Sequence, residues 1–438
     1  MKRTSFKGLI LIFLLLQTSF TEGVLAQLNS ESAFIYGDAL PDAPELSARG
    51  DFKVGVQTLE FVNKGQVNVL KVVDGVSPLY DRTLKVEVWY PAVIPEGSKE
   101  LVSYDEVIGT SNDKKRPVVP FTFMGRALRN AAPMTTDKPF PLVVVSHGYV
   151  GSRYLMTYLT ENLASKGYVV VAIDHTESTF RDANGFQSTL LNRAKDILFV
   201  INQMADLSLS KNKSFLSGLV DVNQTGLVGY SMGGYGVLNA SGAGYSSKLD
   251  TFFTTITQGS KAIQVRSTNN PEFKASFDPR IKAVVAFAPW GMQRGVWDAE
   301  GLAGLKVPTF FVAGSQDDIS GYEDGIKAIY KGVVNTDRYL LTYANARHNI
   351  APNPPPAESL KAGVTFEEYY RYAEPAWHEQ RINNINQHFV TAFLGIHLQQ
   401  KDYNKYLNLK ENANQQLWQG FKPRTCVGLE LLHAPAAK

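Results

Sequence analysis

The spacing of hydrophobic and polar positions changes several times along the chain, and each change marks an element. From residue 142 onward, short unbroken apolar runs alternate with stretches in which apolar residues return every three or four positions. Leu142-Val143-Val144-Val145 keeps no polar face for solvent, so it predicts a strand buried on both sides. Leu155, Leu159 and Leu163 then recur at helical spacing, with Ser152 as candidate N-cap and Gly167 as the stop. Val169 to Ile173 predicts the next buried strand, and Leu190, Ala194, Ile197, Ile201 and Met204 an amphipathic helix. Further strands are predicted at 226–229, 281–287, 307–313 and 338–343. A last helix over about 376–396 turns Ile382, Ile385, Phe389 and Phe393 inward. Upstream, Val54, Val56, Leu59 and Phe61 suggest a first strand. Leu84, Val86, Val88 and Tyr90 alternate strictly and predict a half-buried strand over 84–90.

This alternation of strand and helix argues an α/β protein with a mainly parallel central sheet and helices on both faces. Three stretches break the pattern, near 91–140, 240–279 and 350–375, and read as long insertions over the surface. Residues 27–50 read as an extended, polar lead-in. The expectation is one decorated domain over 27–438.

The first residues follow a different logic. Lys2, Arg3 and Lys7 precede the apolar run Gly8 to Leu16, and Val24-Leu25-Ala26 offers small residues before a cleavage point. That is the three-part pattern of a secretory signal peptide over 1–26, with no stable membrane anchor after its removal and a secreted or periplasmic destination. Composition narrows the rest. With 44% apolar side chains in 438 residues, a large core is available. The 44 Lys+Arg nearly cancel the 41 Asp+Glu, so no electrostatic footprint for nucleic acid is present. The lone Cys426 excludes an intramolecular disulfide and a Cys-rich zinc site.

Gly229-Tyr230-Ser231-Met232-Gly233 fits G-x-S-x-G, lies after a predicted strand and precedes helix-compatible residues. A sharp strand-to-helix turn of this kind exposes the serine hydroxyl, and the flanking glycines let neighbouring backbones approach. Ser231 is therefore the candidate nucleophile. Ser146-His147-Gly148-Tyr149 follows the run 142–145, which makes the backbone N–H groups of Tyr149 and Met232 candidates for an oxyanion hole. His147 is read as a brace for that loop. The strand 307–313 leads to Asp317 and Asp318; Asp317 is favoured as the carboxylate that orients a histidine, with Asp318 as a helix cap. His348 lies past the predicted strand at 338–343, where a general base is needed. The remaining histidines, His175, His378, His388, His397 and His433, lack such placement, and His378, His388 and His397 read as surface or packing residues.

The stretches Phe140 to Gly148, Leu163 to His175, Gly229 to Gly234, Ile281 to Val285 and Val307 to Phe311 resemble platelet-activating-factor acetylhydrolases and their bacterial relatives. They are similar to the polyester-cleaving bacterial cutinases and to dienelactone-hydrolase-like enzymes nearly as well. The resemblance implies the α/β-hydrolase fold and a serine esterase acting on short-chain acyl esters without metal or cofactor. It covers roughly residues 80–395. Animal acetylhydrolases carry their acid after the strand equivalent to 283–287, where this chain has Ala288-Pro289-Trp290, so the acid is expected at Asp317 as in cutinases. Pro289-Trp290 resembles the pair with which cutinases line their cleft, so Trp290 joins Tyr149 as a candidate cleft residue. Phe366, Tyr369, Tyr370, Tyr372 and Trp377 are either walls of the acyl site or packing for the last helix.

The expected function is an exported carboxylic-ester hydrolase working through Ser231, His348 and Asp317 and an acyl-enzyme, on a small-molecule or polymeric ester. An acyltransferase, a serine peptidase and a catalytically inactive binding protein on the same fold are the alternatives.

Overall fold

The computed structural model describes residues 35–437, so the export-signal reading over 1–26 lies outside the described residues. Within them, residues 36–437 belong to one compact unit. The strands are β1 (Lys53–Val67), β2 (Leu79–Val93), β3 (Val102–Ile108), β4 (Val119–Gly125), β5 (Leu128–Arg129), β6 (Ala132–Pro133), β7 (Phe140–Ser146), β8 (Val169–Asp174), β9 (Val220–Tyr230), β10 (Ile281–Phe287), β11 (Thr309–Gly314), β12 (Arg338–Tyr343) and β13 (Leu429–Ala434). Eleven of them form one sheet in the order β13-β12-β11-β10-β9-β7-β8-β2-β1-β5, with β6 joined to β2. The six strands β8-β7-β9-β10-β11-β12 are mutually parallel, while β2 and β13 run antiparallel to their neighbours β8 and β12.

The helices are α1 (Thr157–Ser165), α2 (Phe186–Ser208), α3 (Met232–Ala240), α4 (Ser247–Ile256), α5 (Pro271–Ala275), α6 (Ala299–Ala303), α7 (Lys327–Gly332), α8 (Phe366–Tyr370) and α9 (Glu379–Gln399). They cover both faces. Along β9, positions an odd number apart point to opposite sides: a Cβ on Gly226 would meet Leu394 and Leu398 of α9, whereas one on Gly229 would meet Gly233 of α3. α1 packs with α9 on the first side and α2 with α3 on the second. Ile382, Ile385, Phe389 and Phe393 are all buried against the sheet. Among the described residues, no helix is long and apolar enough to cross a membrane.

Four local expectations are corrected. The segment 91–140 is not only a surface excursion: β3 and β4 pair as an antiparallel hairpin. Tyr104 of that hairpin accepts from the Trp89 indole at 2.7 Å and donates to Glu161 of α1 at 2.7 Å. The hairpin and its neighbours also explain why β2 is not half-buried. Glu87 sits in the interior with Arg153 at 3.1 Å and Arg129 as partners, because a buried carboxylate is tolerated only when paired. Ser152 caps no helix; its hydroxyl accepts from the Tyr154 N–H in a turn, and α1 starts at Thr157. Finally, β13 closes the sheet edge with residues whose short run carried no strand prediction.

Candidate active site

Ser231 stands in the turn between β9 and α3 with φ 54° and ψ −112°, a region that L-residues adopt only under constraint. The constraint is visible in its backbone bonds. Its N–H donates to Phe287 O at 2.9 Å, and its carbonyl accepts from Tyr235 at 3.0 Å and Trp290 at 3.2 Å. The flanking glycines have steric reasons. A Cβ on Gly233 would lie 1.9 Å from Ser146 O, and one on Gly229 would lie 2.3 Å from Gly233 O. Side chains at either position would push α3 off the ends of β7 and β9.

The loops after β11 and β12 bring two more groups to this turn. His348 Nε2 lies 2.9 Å from Ser231 Oγ, and His348 Nδ1 lies 2.9 and 3.0 Å from the two Asp317 oxygens. Burial opposes ionisation of Asp317, but the His348 ring and the N–H groups of Ser320 and Ile319, at 2.7 and 2.9 Å, hold its carboxyl below the usual range. Tyr230 packs beside the imidazole at 5.3 Å between centroids. Asp318 does not cap a helix: it pairs with Arg347 at 3.1 Å on the surface.

The Tyr149 loop leaves β7 directly opposite. His147 braces it: its Nε2 accepts from the His175 N–H at 3.2 Å, which puts the proton on Nδ1, 2.6 Å from Gly148 O. Burial, with Arg193 and His175 nearby, pushes the His147 pKa well down. Arg193 of α2 donates to His147 O at 2.7 Å. Met232 opens α3, where backbone N–H groups lack acceptors within the helix. The Tyr149 hydroxyl donates to Asn184 O at 3.0 Å.

A cavity of about 400 Å³ adjoins Ser231 and His348, walled by Tyr149, Val150, Leu155, Phe180, Ile319 and Phe366, with Tyr370, Arg116 and Arg371. Trp290 stands to one side of it. Its ring meets Phe186 edge-on at 5.3 Å, and Phe186 in turn meets Tyr149 at 5.3 Å. The aromatic set after His348 divides between its two expected roles. Phe366 and Tyr370 reach the cavity, Tyr372 is buried against Phe180, and Trp377 packs on Tyr343 and donates to Ala344 O.

The sequence reading missed a second constellation directly beneath the loop. Ser146 Oγ lies 2.8 Å from His175 Nε2, and His175 Nδ1 lies 2.9 Å from Asp196 Oδ2. His175, which the sequence set aside only as lacking a catalytic position, is thus a buried, hydrogen-bonded member of this set. Arg82 grips both Asp196 oxygens at 2.8 and 2.9 Å. Burial, followed by Arg193, lowers the His175 pKa to about 3, so its ring is neutral. Burial also opposes the charge on Asp196, yet Arg82 and His175 hold its carboxyl well below the usual range. Ser-His at the end of one strand and Asp-His at the end of the next were the available signals. The other histidines are apart from this: His388 is buried among Phe389, Tyr406 and Phe421, and His433 pairs with Asp337 at 2.7 Å. Among the described residues, no group of three or more His, Cys, Asp or Glu is placed to hold a metal ion.

Residues 126–251 match the PETase family, described as PET hydrolase-like. Cutinase est1 of Thermobifida alba is 25% identical over 218 residues, covering 50% of this chain and 56% of the relative. Bis(hydroxyethyl) terephthalate hydrolase of Streptomyces coelicolor is 24% identical over 233 residues, covering 53% and 57%. The matched region thus spans little more than half the length of these curated relatives. Among solved structures, a ferulic acid esterase from Streptomyces cinnamoneus superposes with TM-score 0.53 at 20% identity, covering 82% of this chain and 94% of that one. Sheet order, the strand–turn–helix at Ser231 and these likenesses agree: the chain has the α/β-hydrolase fold and is similar in sequence to cutinases and PET hydrolase-like enzymes.

Proposed function

We propose that the protein is an exported serine hydrolase of carboxylic esters. The observation that carries the reading is one imidazole, His348, bonded on one side to the hydroxyl of a strained serine and on the other to Asp317, at the wall of a cavity. His348 takes the Ser231 proton as Oγ attacks the ester carbonyl, and Asp317 fixes the tautomer and stabilises the cation that forms. The N–H groups of Tyr149 and Met232 receive the oxyanion; one such donor contributes about 3 kcal/mol to the transition state. The alcohol leaves with the proton from His348, and water, activated by the same ring, releases the acid from the acyl-enzyme. Short acyl esters and polyester chain ends fit the apolar cavity walls, and the likeness to cutinases supports that substrate class.

The test is paired. A fluorophosphonate probe should label Ser231, and turnover of p-nitrophenyl butyrate should vanish in Ser231→Ala; labelling elsewhere, or retained turnover, rejects the reading. Export is checked separately by the N-terminus of the protein outside the cell, expected at Gln27.

A further inference from the structure

The cavity beside Ser231 has a cationic wall that the hydrolytic chemistry does not use. Arg116, from the hairpin connection, and Arg371, just past α8, both line it. A single buried carboxylate, Glu368, faces the pair. It is already engaged: the Gly109 N–H reaches one oxygen at 2.7 Å and Arg116 Nε the other at 2.6 Å. Arg371 is left 3.7 Å away from it. A guanidinium offers five N–H donors. Here one of them, on Nη1, reaches Val150 O at 3.4 Å, and the buried Nε has no hydrogen-bond partner. The rest of the group lies over the Phe180 ring at 5.7 Å. Burial and the neighbouring Arg116 weigh against its charge, as the lowered Arg371 pKa reflects.

The remaining charges at the cavity do not make up the deficit. Asp318 is taken by Arg347 at 3.1 Å, and Glu367 lies exposed on the solvent side, where water and salt screen it. Two guanidinium groups therefore share one carboxylate next to the loop that carries Tyr149. A half-buried, incompletely bonded cation gains when an anion arrives to pair with it, and planar N–H forks match carboxylates and phosphates.

We propose that Arg371, with Arg116 behind it, receives an anionic group of the substrate, so that the site selects esters bearing a carboxylate or a comparable anion besides the scissile bond. This rests on the ester-hydrolase reading above and names its substrate class.

Two pairs of esters test it on the full chain. The first is 4-nitrophenyl hydrogen glutarate against its neutral methyl ester, with the anion on the acyl side. The second is 4-acetoxybenzoate against methyl 4-acetoxybenzoate, with the anion on the alcohol side. In at least one pair, kcat/KM for the anionic ester is expected to exceed that of its neutral twin tenfold or more. Arg371→Gln should cut that ratio at least tenfold, mainly through KM. Arg371→Lys should restore part of it, and salt should lower it. Arg116→Gln, which leaves Arg371 in place, should reduce the ratio less, and it serves if Arg371→Gln does not fold. The site is rejected if both neutral twins are hydrolysed through Ser231 and neither anion is preferred. It is also rejected if Arg371→Gln slows both members of a pair equally, which is the result of a mere brace on Val150. Absence of turnover on all four esters together with no fluorophosphonate labelling rejects the ester-hydrolase reading, and the anion site with it.

Discussion

Two Ser–His–Asp arrangements lie on the same edge of the sheet with nearly the same distances. Ser231, His348 and Asp317 are joined at 2.9 and 2.9 Å, and Ser146, His175 and Asp196 at 2.8 and 2.9 Å. Everything around them differs. Ser231 sits in a strained turn facing a cavity, whereas Ser146 is the last residue of a regular strand and is wholly buried. Asp317 is bonded by two backbone N–H groups and the imidazole, whereas Asp196 is held in both arms of Arg82. The difference teaches that matching side chains and distances do not put two serines in the same position; access to a cavity and backbone strain set Ser231 apart, and those are what the proposed nucleophile needs. The buried set has the features of a strut. It holds His147, and so the loop that carries Tyr149, from below.

The sharpest way to break that comparison is to remove each serine hydroxyl. Ser231→Ala should lower kcat/KM for p-nitrophenyl butyrate by about 10⁴-fold or more, the scale of losing a nucleophile. Ser146→Ala should cost less than about 30-fold; equal losses would make both sets catalytic. The two aspartates should part in a different way. Asp317→Asn should lower kcat by about 10³–10⁴-fold, because the imidazole loses its tautomer control, while the urea midpoint changes little. Asp196→Ala should instead cost about 3 kcal/mol of stability, because buried Arg82 loses the carboxylate gripped by its Nε and Nη2 and keeps only Glu177 at 3.1 Å as an ionic partner.

A smaller effect separates the two histidines by pH. His175 is held near 3, so between about pH 6.5 and 3 the unfolded chain takes up a proton there that the folded chain refuses. Stability therefore falls as the solution is acidified, by about 2 kcal/mol from this residue between pH 7.5 and 5. His175→Gln, compared with the unaltered chain across that range in urea titrations, should flatten the acid side of the curve by that amount. A parallel pair of curves would contradict the buried, neutral ring. The smallest change is expected at Asp318→Asn, which severs only the exposed pair with Arg347. It should alter kcat/KM less than about threefold and leave the midpoint in place, since such pairs are weak in water. A loss approaching that of Asp317→Asn would transfer the acid's role to Asp318.

Some of this was legible along the chain because it is local. Buried parallel strands are continuous apolar runs, so β7, β8, β10 and β12 could be read within a residue or two. Gly229, Ser231 and Gly233 carry their turn in five residues, and Asp317 and His348 each follow a strand end. The hairpin of β3 and β4 was not legible, because its burial depends on Trp89 and Glu161, far away in sequence. His175 was missed for the same reason: its partner Asp196 lies 21 residues on, in the middle of α2, and Arg82 reaches that aspartate from 114 residues away.

The sequence by itself determined the alternation of buried parallel strands with helices in the central sheet and the turn around Ser231, since periodicity and turn chemistry depend on neighbours a few residues apart. Only the tertiary structure decided which charges go inside and with whom. Arg82 saturates Asp196, while Glu368 bonds the Gly109 N–H and Arg116 and leaves Arg371 3.7 Å away. Pairing of that kind depends on distances between residues from separate elements, and burial raises the energetic stake of each contact beyond anything composition or spacing records.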